Sequence, residues 1–214
     1  MIFIGYSGKS VDNLVERITR PFIIPWALYN WVPDLFEQME QDEKNINDKT
    51  IALELNQQKD IGLSFSETEL FNNLNTTYFS YYKVKNISHD GSIIIIDLLF
   101  DTEHHIFDTQ LRPSLTVECI IYARIVCYEG KNIIYGIWPM LIPEIYSERI
   151  DKFKKQCIKL NDNQPLVSHL FRTRFEFDLL DVLSLIIVNM VERGFNVMNH
   201  PPTELNLMHI NPAG

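Results

Sequence analysis

Four segments rich in β-branched and aromatic residues lie between residues 77 and 141, and they form two pairs that each enclose a short polar turn. Each connecting turn within a pair contains the glycine, asparagine or aspartate that a tight hairpin requires. The pattern therefore predicts two consecutive β-hairpins, which we join into a four-stranded antiparallel meander. The predicted strands are residues 78–87, 92–100, 117–128 and 133–141, and the predicted turns are residues 88–91 and 129–132.

The third predicted strand has a purely apolar row on one face and a mixture of polar and apolar residues on the other. The second strand is apolar on both faces. An antiparallel sheet with one solvated face alternates cleanly between apolar and polar positions. We therefore expect the N-terminal segment, another subunit or a ligand to cover the second face, and a second subunit would make the protein a homo-oligomer. The apolar row is Val117, Cys119, Ile121, Ala123, Ile125 and Cys127.

A long helix is predicted over residues 178–193, because this segment is apolar nearly all round and Gly194 follows it as a stop signal. Leu183, Ile187 and Met190 lie at helical spacing on one stripe. We expect that stripe to face the sheet.

Helical signals also lie on either side of the predicted sheet. Ser10 can cap a helix, prolines punctuate an aromatic segment at residues 22–36, and Ser66 with Glu69 forms a capping-box candidate. Another amphipathic helix begins at Ser147.

These patterns predict an α+β fold, in which a four-stranded antiparallel sheet is backed by a long C-terminal helix and preceded by an N-terminal helical appendage. The appendage is placed at residues 1–75, and the sheet with its helices at residues 76–214. A chain of 214 residues suits this division into one domain and an appendage.

Charge and cysteine content narrow the functional classes. The net charge of −9 and the pI near 5.1 argue against the basic surface typical of nucleic-acid binding, so no nucleic-acid partner is predicted. Cys119 and Cys127 lie eight residues apart on one predicted strand, roughly 26 Å at strand rise, which is too far for a disulfide. We therefore expect reduced thiols and a cytoplasmic protein.

No apolar run reaches the roughly 18 residues that a membrane span needs, so no membrane insertion is predicted.

A nucleotide site is an alternative that the sequence only partly supports. The segment Gly5-Tyr-Ser-Gly8-Lys9-Ser10 follows a short apolar run, but Phe3 stands where a phosphate-binding loop has its first glycine. A strand, a turn and a helix cap explain the same residues. We therefore predict no nucleotide cofactor.

The densest group of potential metal ligands is also better explained without a bound ion. Adjacent histidines on an extended chain point to opposite sides, so a solvated loop is predicted there and no metal. The sequence contains no nucleophile motif, and it contains no paired carboxylates whose placement can be argued. We therefore predict a protein that is not an enzyme. The group consists of Asp101, Glu103, His104, His105 and Asp108.

The C-terminal region carries a series of residues with a family likeness. A histidine precedes a long apolar helix that ends in Arg-Gly, and an extended stretch with apolar residues at regular places follows. This arrangement resembles the SecB family of export chaperones, loosely over residues 77–210 and more specifically over residues 169–208. The matching positions are His169, Leu170, Phe171, Arg193, Gly194, Phe195, Met198, Pro202, Leu205 and Met208.

The resemblance implies a chaperone that takes part in protein export and holds unfolded or client polypeptides in an apolar groove. Such a groove needs aromatic and flexible apolar side chains, because it must accept many sequences. Five residues near the end of the sheet and the start of the long helix are our candidates for polypeptide binding: Trp138, Met140, Phe171, Phe175 and Phe177.

A second class of function stays open. An acidic interaction or immunity-type protein could use the same fold to bind and neutralise one specific protein partner, through acidic segments such as residues 37–43. A holdase should bind unrelated unfolded proteins, whereas a dedicated binder should ignore them and hold one folded partner tightly.

Overall fold

A computed structural model describes residues 20, 22–31, 49–58, 62–107, 115–138, 140–161 and 169–193 of the chain. Helix α1 contains residues 22–29, and residue 20 is helical as well. The later helices are α2 (Ile51–Gln58), α3 (Phe65–Thr76), α4 (Ser147–Asn161) and α5 (His169–Glu192), and a 3-10 turn (Glu144–Tyr146) precedes α4. The strands are β1 (Phe79–Ile87), β2 (Ser92–Asp97), β3 (Glu103–Phe107), β4 (Ile120–Tyr128) and β5 (Lys131–Ile137).

The five strands close into a barrel in the order β1-β2-β3-β5-β4. The expected open, four-stranded antiparallel sheet is therefore wrong. The two predicted hairpins are present as antiparallel pairs, but β1 also pairs with β4, so the strands do not form a meander. Strand β3 then closes the barrel through a parallel pairing with β5 at Ile106 and Asn132.

The closing strand β3 lies where the sequence predicted a solvated loop. Its sequence, Glu-His-His-Ile-Phe, is polar at the first three positions, and of its two apolar residues only Ile106 is buried. Strand β3 forms because it adds to the free edge of β2, where Ile93 pairs with Ile106 and Ile95 with His104. Tertiary pairing outweighs the weak local preference of this segment for strand.

An inner cluster of apolar side chains fills the barrel. It draws residues from all five strands, which alternate so that every second side chain points inward. Its fully buried members include Val84, Ile93, Ile95, Ile121 and Ala123.

An outer cluster lies on the opposite face of β1 and β4, beneath helices α1, α4 and α5. The strands contribute Phe79, Tyr81 and Tyr122, and the helices contribute residues such as Phe22 and Leu179. The second apolar face is thus covered within one chain, so the sheet gives no reason of its own to expect a second subunit. The homo-oligomer stays a prediction, which light scattering at micromolar concentration would test.

Helix α5 is longer than predicted, because it begins at His169 rather than at residue 178. Its buried stripe includes Leu183 and Met190, as expected, but Ile186 takes the fully buried position between them. Ile187 is only partly buried. The side of the helix away from the sheet also carries apolar residues that are exposed: Leu185 is 54% exposed and Val188 is 44% exposed.

Helix α3 has its capping box at Ser64 and Glu67, not at Ser66 and Glu69 as predicted. Several other expectations lie outside the described residues. They are the helix after Ser10, the phosphate-loop-like residues 5–10, the acidic residues 37–43, the C-terminal tail and, among the metal-ligand candidates, Asp108.

Asp97 is a buried carboxylate at the end of β2, on the inward face that also carries Ile93 and Ile95. Its Oδ1 atom accepts hydrogen bonds from the Ser80 hydroxyl at 2.9 Å and from the backbone N–H groups of Leu99 and Phe100 at 2.8 and 3.2 Å. One side-chain oxygen thus links β1 to β2 and fixes the turn that leads to β3.

Replacing Asp97 with alanine is expected to lower the free energy of unfolding by about 2–3 kcal/mol, because three donors lose their acceptor. Asp97→Asn keeps an oxygen in that place and is the matched variant. Burial raises the pKa of Asp97 above its ordinary value of 3.8, although the Leu99 N–H and the Ser80 hydroxyl oppose the shift.

This raised pKa sets the expected pH dependence. A carboxyl with a higher pKa in the folded state binds its proton more tightly there, so its contribution to stability is lost as pH rises through the folded pKa. The free energy of unfolding of Asp97→Asn, relative to that of the wild type, should therefore increase as the pH rises from the ordinary carboxyl range to neutrality. Denaturant melts across that range measure the difference, and a difference that does not change with pH would contradict the expectation.

Candidate functional site

The outer cluster is built around aromatic side chains of β1 and β4. The ring centroids of Tyr81 and Tyr122 lie 4.9 Å apart, and those of Phe79 and Tyr122 lie 5.5 Å apart. The Tyr81 hydroxyl donates to the backbone oxygen of Leu179 on α5 at 2.8 Å. Burial raises the pKa of Tyr81 well above its ordinary value, so the phenol stays protonated and remains a donor.

One end of the outer cluster is completed by helix α1. The ring of Phe22 lies 4.8 Å from that of Phe79, 5.7 Å from that of Tyr122 and 5.4 Å from that of Trp138. Trp138 follows β5 directly, and its backbone N–H donates to the Tyr122 carbonyl at 2.8 Å. The chain after β5 is therefore held beside β4, which fixes the indole against the cluster.

The other end of the cluster is formed by Phe175 of α5. Its ring lies 5.9 Å from Phe153, 6.1 Å from Tyr78 and 6.2 Å from Phe100. Only 5% of Phe175 is exposed.

The structure places the five predicted polypeptide-binding residues as follows. Trp138 packs against the outer cluster, which also contains Phe175, and Met140 is partly buried. Phe171 and Phe177 lie on α5, but their side chains are outside the described part of the structure. We expected Phe175 and Phe177 to precede the helix, whereas both lie within it. Their role in binding stays a prediction.

The solvent side of the helices that cover this face is apolar in places. On α1, Ile23 and Ile24 are exposed, and on α5 Leu185 and Val188 are exposed. Both helices pack on the same face of β1 and β4. These exposed side chains are therefore presented on one side of the molecule.

Arg124 is a buried cation at the junction of β4 with helices α1 and α3. Its guanidinium donates to the backbone oxygens of Leu74 at 2.9 Å, Thr77 at 2.5 Å and Pro25 at 3.4 Å. It also donates to the Thr77 hydroxyl at 3.1 Å. Arginine suits this place because its planar fork serves several acceptors at once, and the carbonyls at the end of a helix attract a cation.

Sequence reasoning missed the roles of Arg124 and Phe22. The available signal was an arginine inside an otherwise apolar strand, which indicates a buried cation with specific acceptors. Phe22 gave no comparable signal, since its partners lie more than fifty residues away in the sequence.

A smaller mixed patch lies at the other end of β4. Lys83 approaches the carboxylates of both Glu118 and Glu144, and these contacts raise the pKa of Lys83. The neighbouring side chains of Val117 and Ile145 are exposed. The patch therefore combines apolar surface with one more negative than positive charge.

The described residues offer no group of three or more histidine, cysteine, aspartate or glutamate side chains that could hold a metal ion. His104 and His105 are adjacent on β3. His104 is partly buried beside the ring of Tyr82, at 5.7 Å between centroids, whereas His105 is exposed and contacts Glu103. Their opposite directions follow from strand geometry.

The fold and this site define a five-stranded mixed β-barrel with an aromatic outer face beneath helices. Residues 42–175, more than half of the chain, match the model of a family of unknown function, DUF7986, so the protein belongs to that family. No curated protein and no solved structure matches it. Within the described residues, no helix combines the length and apolar character needed to span a membrane.

Proposed function

We propose that this protein is a polypeptide-binding chaperone, which holds unfolded or client polypeptides against apolar surface in the cytoplasm. The observation that carries the proposal is the apolar outer side of helices α1 and α5. A SecB-like role in protein export, as the C-terminal sequence suggests, is the specific form of this proposal.

A helix that packs one side on a core normally presents polar residues on the other side. Helix α5 buries Leu183 and Ile186, yet it also exposes Leu185 and Val188, which lie three positions apart and hence on one face. Adjacent exposed apolar side chains are a feature of interaction surfaces, and this supports the proposal.

The chemistry of this surface suits a varied set of extended chains. Isoleucine, leucine and valine side chains contribute contact area without requiring a particular polar partner, so they accept many sequences. The predicted binding residues Trp138 and Met140 are partly buried, so their exposed atoms can add apolar contact beside the helices.

The double variant Leu185→Asp/Val188→Asp tests the proposal. Each side chain is about half exposed, so its complete burial against a client contributes about 1 kcal/mol, and losing both should weaken client binding by tenfold or more. The measurement is the affinity for a labelled, permanently unfolded model protein, together with suppression of aggregation.

Ser184→Asp is the matched control for each single variant, Leu185→Asp and Val188→Asp, because position 184 is also exposed on α5 and receives the same single charge. It should leave client affinity nearly unchanged. Unchanged affinity in the double variant, with both proteins folded by circular dichroism, would remove the outer side of α5 from the binding surface.

The mixed patch of Val117, Ile145, Glu118 and Glu144 favours the second candidate function, a dedicated binder of one protein partner. Its charge and the net charge of −9 suit a partner with basic groups around an apolar contact. Binding of this kind should weaken steeply with added salt and should be absent for unrelated unfolded proteins. Capture of one folded partner, with no effect on aggregation, would favour this second function over the first.

A further inference from the structure

The Phe22 pocket is the space between the rings of Phe79, Tyr122 and Trp138 on the outer face of the barrel. Phe22 occupies it with two edge-to-face contacts, to Phe79 and Trp138, and one tilted contact, to Tyr122. Edge-to-face packing is the favoured geometry for aromatic pairs. The pocket is therefore shaped for an aromatic side chain, and the chain fills it with one of its own.

With Phe22 in the pocket, one polar group of the pocket lacks a hydrogen-bond partner. The Trp138 Nε1–H is buried and finds no hydrogen-bond acceptor among the described residues. By contrast, the nearby Tyr81 hydroxyl has an acceptor, the Leu179 carbonyl of α5. A buried donor without an acceptor calls for an explanation, and an occupant that carries a carbonyl beside its aromatic ring would supply one.

Helix α1, which carries Phe22, is held in place by aromatic packing and by polar contacts with the strands. These include a side-chain hydrogen bond between Tyr29 and Tyr135 of β5 and the bond from Arg124 to the Pro25 carbonyl, which at 3.4 Å is longer than the Arg124 bonds to Leu74 and Thr77. A proline inside a helix removes one backbone hydrogen bond, so α1 has little stability of its own. Helix α1 therefore persists through its docking and can be displaced by a competitor for the same pocket.

We propose that the Phe22 pocket is an aromatic side-chain subsite for client polypeptides and that helix α1 occludes it in the free protein. This inference rests on the proposed polypeptide-binding function. A client phenylalanine enters the pocket as Phe22 leaves, and a backbone carbonyl of the client accepts the Trp138 Nε1–H. Helix α1 thus acts as an internal competitor that sets how tightly clients bind.

The test compares two short extended peptides that differ only at their centre, one with phenylalanine and one with alanine. Phe22→Ala empties the pocket. The affinity of this variant for the phenylalanine peptide should therefore be at least tenfold higher than that of the wild type, because no side chain has to leave the pocket before the peptide binds. Its affinity for the alanine peptide should stay unchanged.

Phe153→Ala is the matched control, since Phe153 belongs to the same outer cluster and is 8% exposed against 5% for Phe22. It should lose stability without gaining affinity for either peptide. Equal gains in both variants would mean general loosening and would overturn the proposal.

Trp138→Phe supplies a second, independent measurement that does not depend on the folding of Phe22→Ala. It keeps an aromatic ring but removes the N–H donor. The affinity of Trp138→Phe for the phenylalanine peptide should therefore be about fivefold lower than that of the wild type, which corresponds to the loss of one hydrogen bond. Unchanged affinity would overturn the proposed contact.

The outcomes separate this inference from the proposed function. If the wild type binds unfolded protein and Phe22→Ala gains nothing for the phenylalanine peptide, occlusion by α1 is wrong and the chaperone function stands. If neither protein binds a peptide or an unfolded protein, both proposals fail. A gain in Phe22→Ala that is confined to the phenylalanine peptide supports both.

Discussion

Ile186→Asp should abolish the folded state, whereas Ile187→Asp one position further along the same helix should leave it largely intact. Ile186 is fully buried in the outer cluster, while Ile187 is only partly buried. An ionised carboxylate without a partner in an apolar core costs free energy comparable with the whole stability of a domain, about 5–15 kcal/mol. The neighbouring position can turn its carboxylate toward water.

Circular dichroism and a denaturant melt measure this contrast, and the two variants control for one another because they differ in burial and not in chemistry. The helical spacing of Leu183, Ile187 and Met190 in the sequence points to Ile187 as the sheet-facing residue. Equal loss of stability in both variants would place Ile187 as deep as Ile186 and would contradict the described packing of α5.

The second large effect is expected at Arg124. Arg124→Ala should lower the free energy of unfolding by about 3–5 kcal/mol, because several buried carbonyls lose their donor and each unsatisfied buried group costs about 1–3 kcal/mol. The truncation leaves the carbonyls of Leu74, Thr77 and Pro25 without their common donor. It also removes the cation that lies over the ring of Tyr29, at 5.7 Å from its centroid.

Arg124→Lys is the informative companion, because it keeps the charge but cannot serve acceptors in several directions at once. We expect it to recover less than half of the loss, measured by denaturant melts of all three proteins. If lysine restores full stability, the positive charge alone matters, and the planar arrangement of donors does not.

The hairpins could be predicted from the sequence because their signals are local. The turn between β4 and β5 places Glu129 and Gly130 at positive φ, and Gly91 has positive φ in the turn before β2. These are the conformations that the glycine-containing turns indicated. Turn chemistry, however, says nothing about which other strand lies beside β1, so the pairing of β1 with β4 and the closed barrel were not foreseen.

The residues of the candidate site also divide into those with a local signal in the sequence and those without one. Trp138 and Phe175 are predicted as binding residues because each is a large aromatic residue close to the end of a predicted strand or to a predicted helix; the structure places both at the outer cluster, and their role in binding stays a prediction. Phe22 and Arg124 could not be assigned their contacts, since the bond from Arg124 to Pro25 joins residues 99 positions apart. Position in the sequence does not encode such contacts until the strands and helices have assembled.

The pairing of β1 with β4 also has a consequence for the newly made chain. Phe79 pairs with Arg124, so β1 lacks its second neighbour until the intervening chain has been synthesised, roughly 2–9 s later at ordinary translation rates. During that interval the isoleucine run of β2, Ile93 to Ile96, has no closed barrel around it. A short, strongly β-prone apolar segment in this position is an aggregation hazard. A protein that we propose to shield other unfolded chains therefore passes through a vulnerable stage of its own during synthesis.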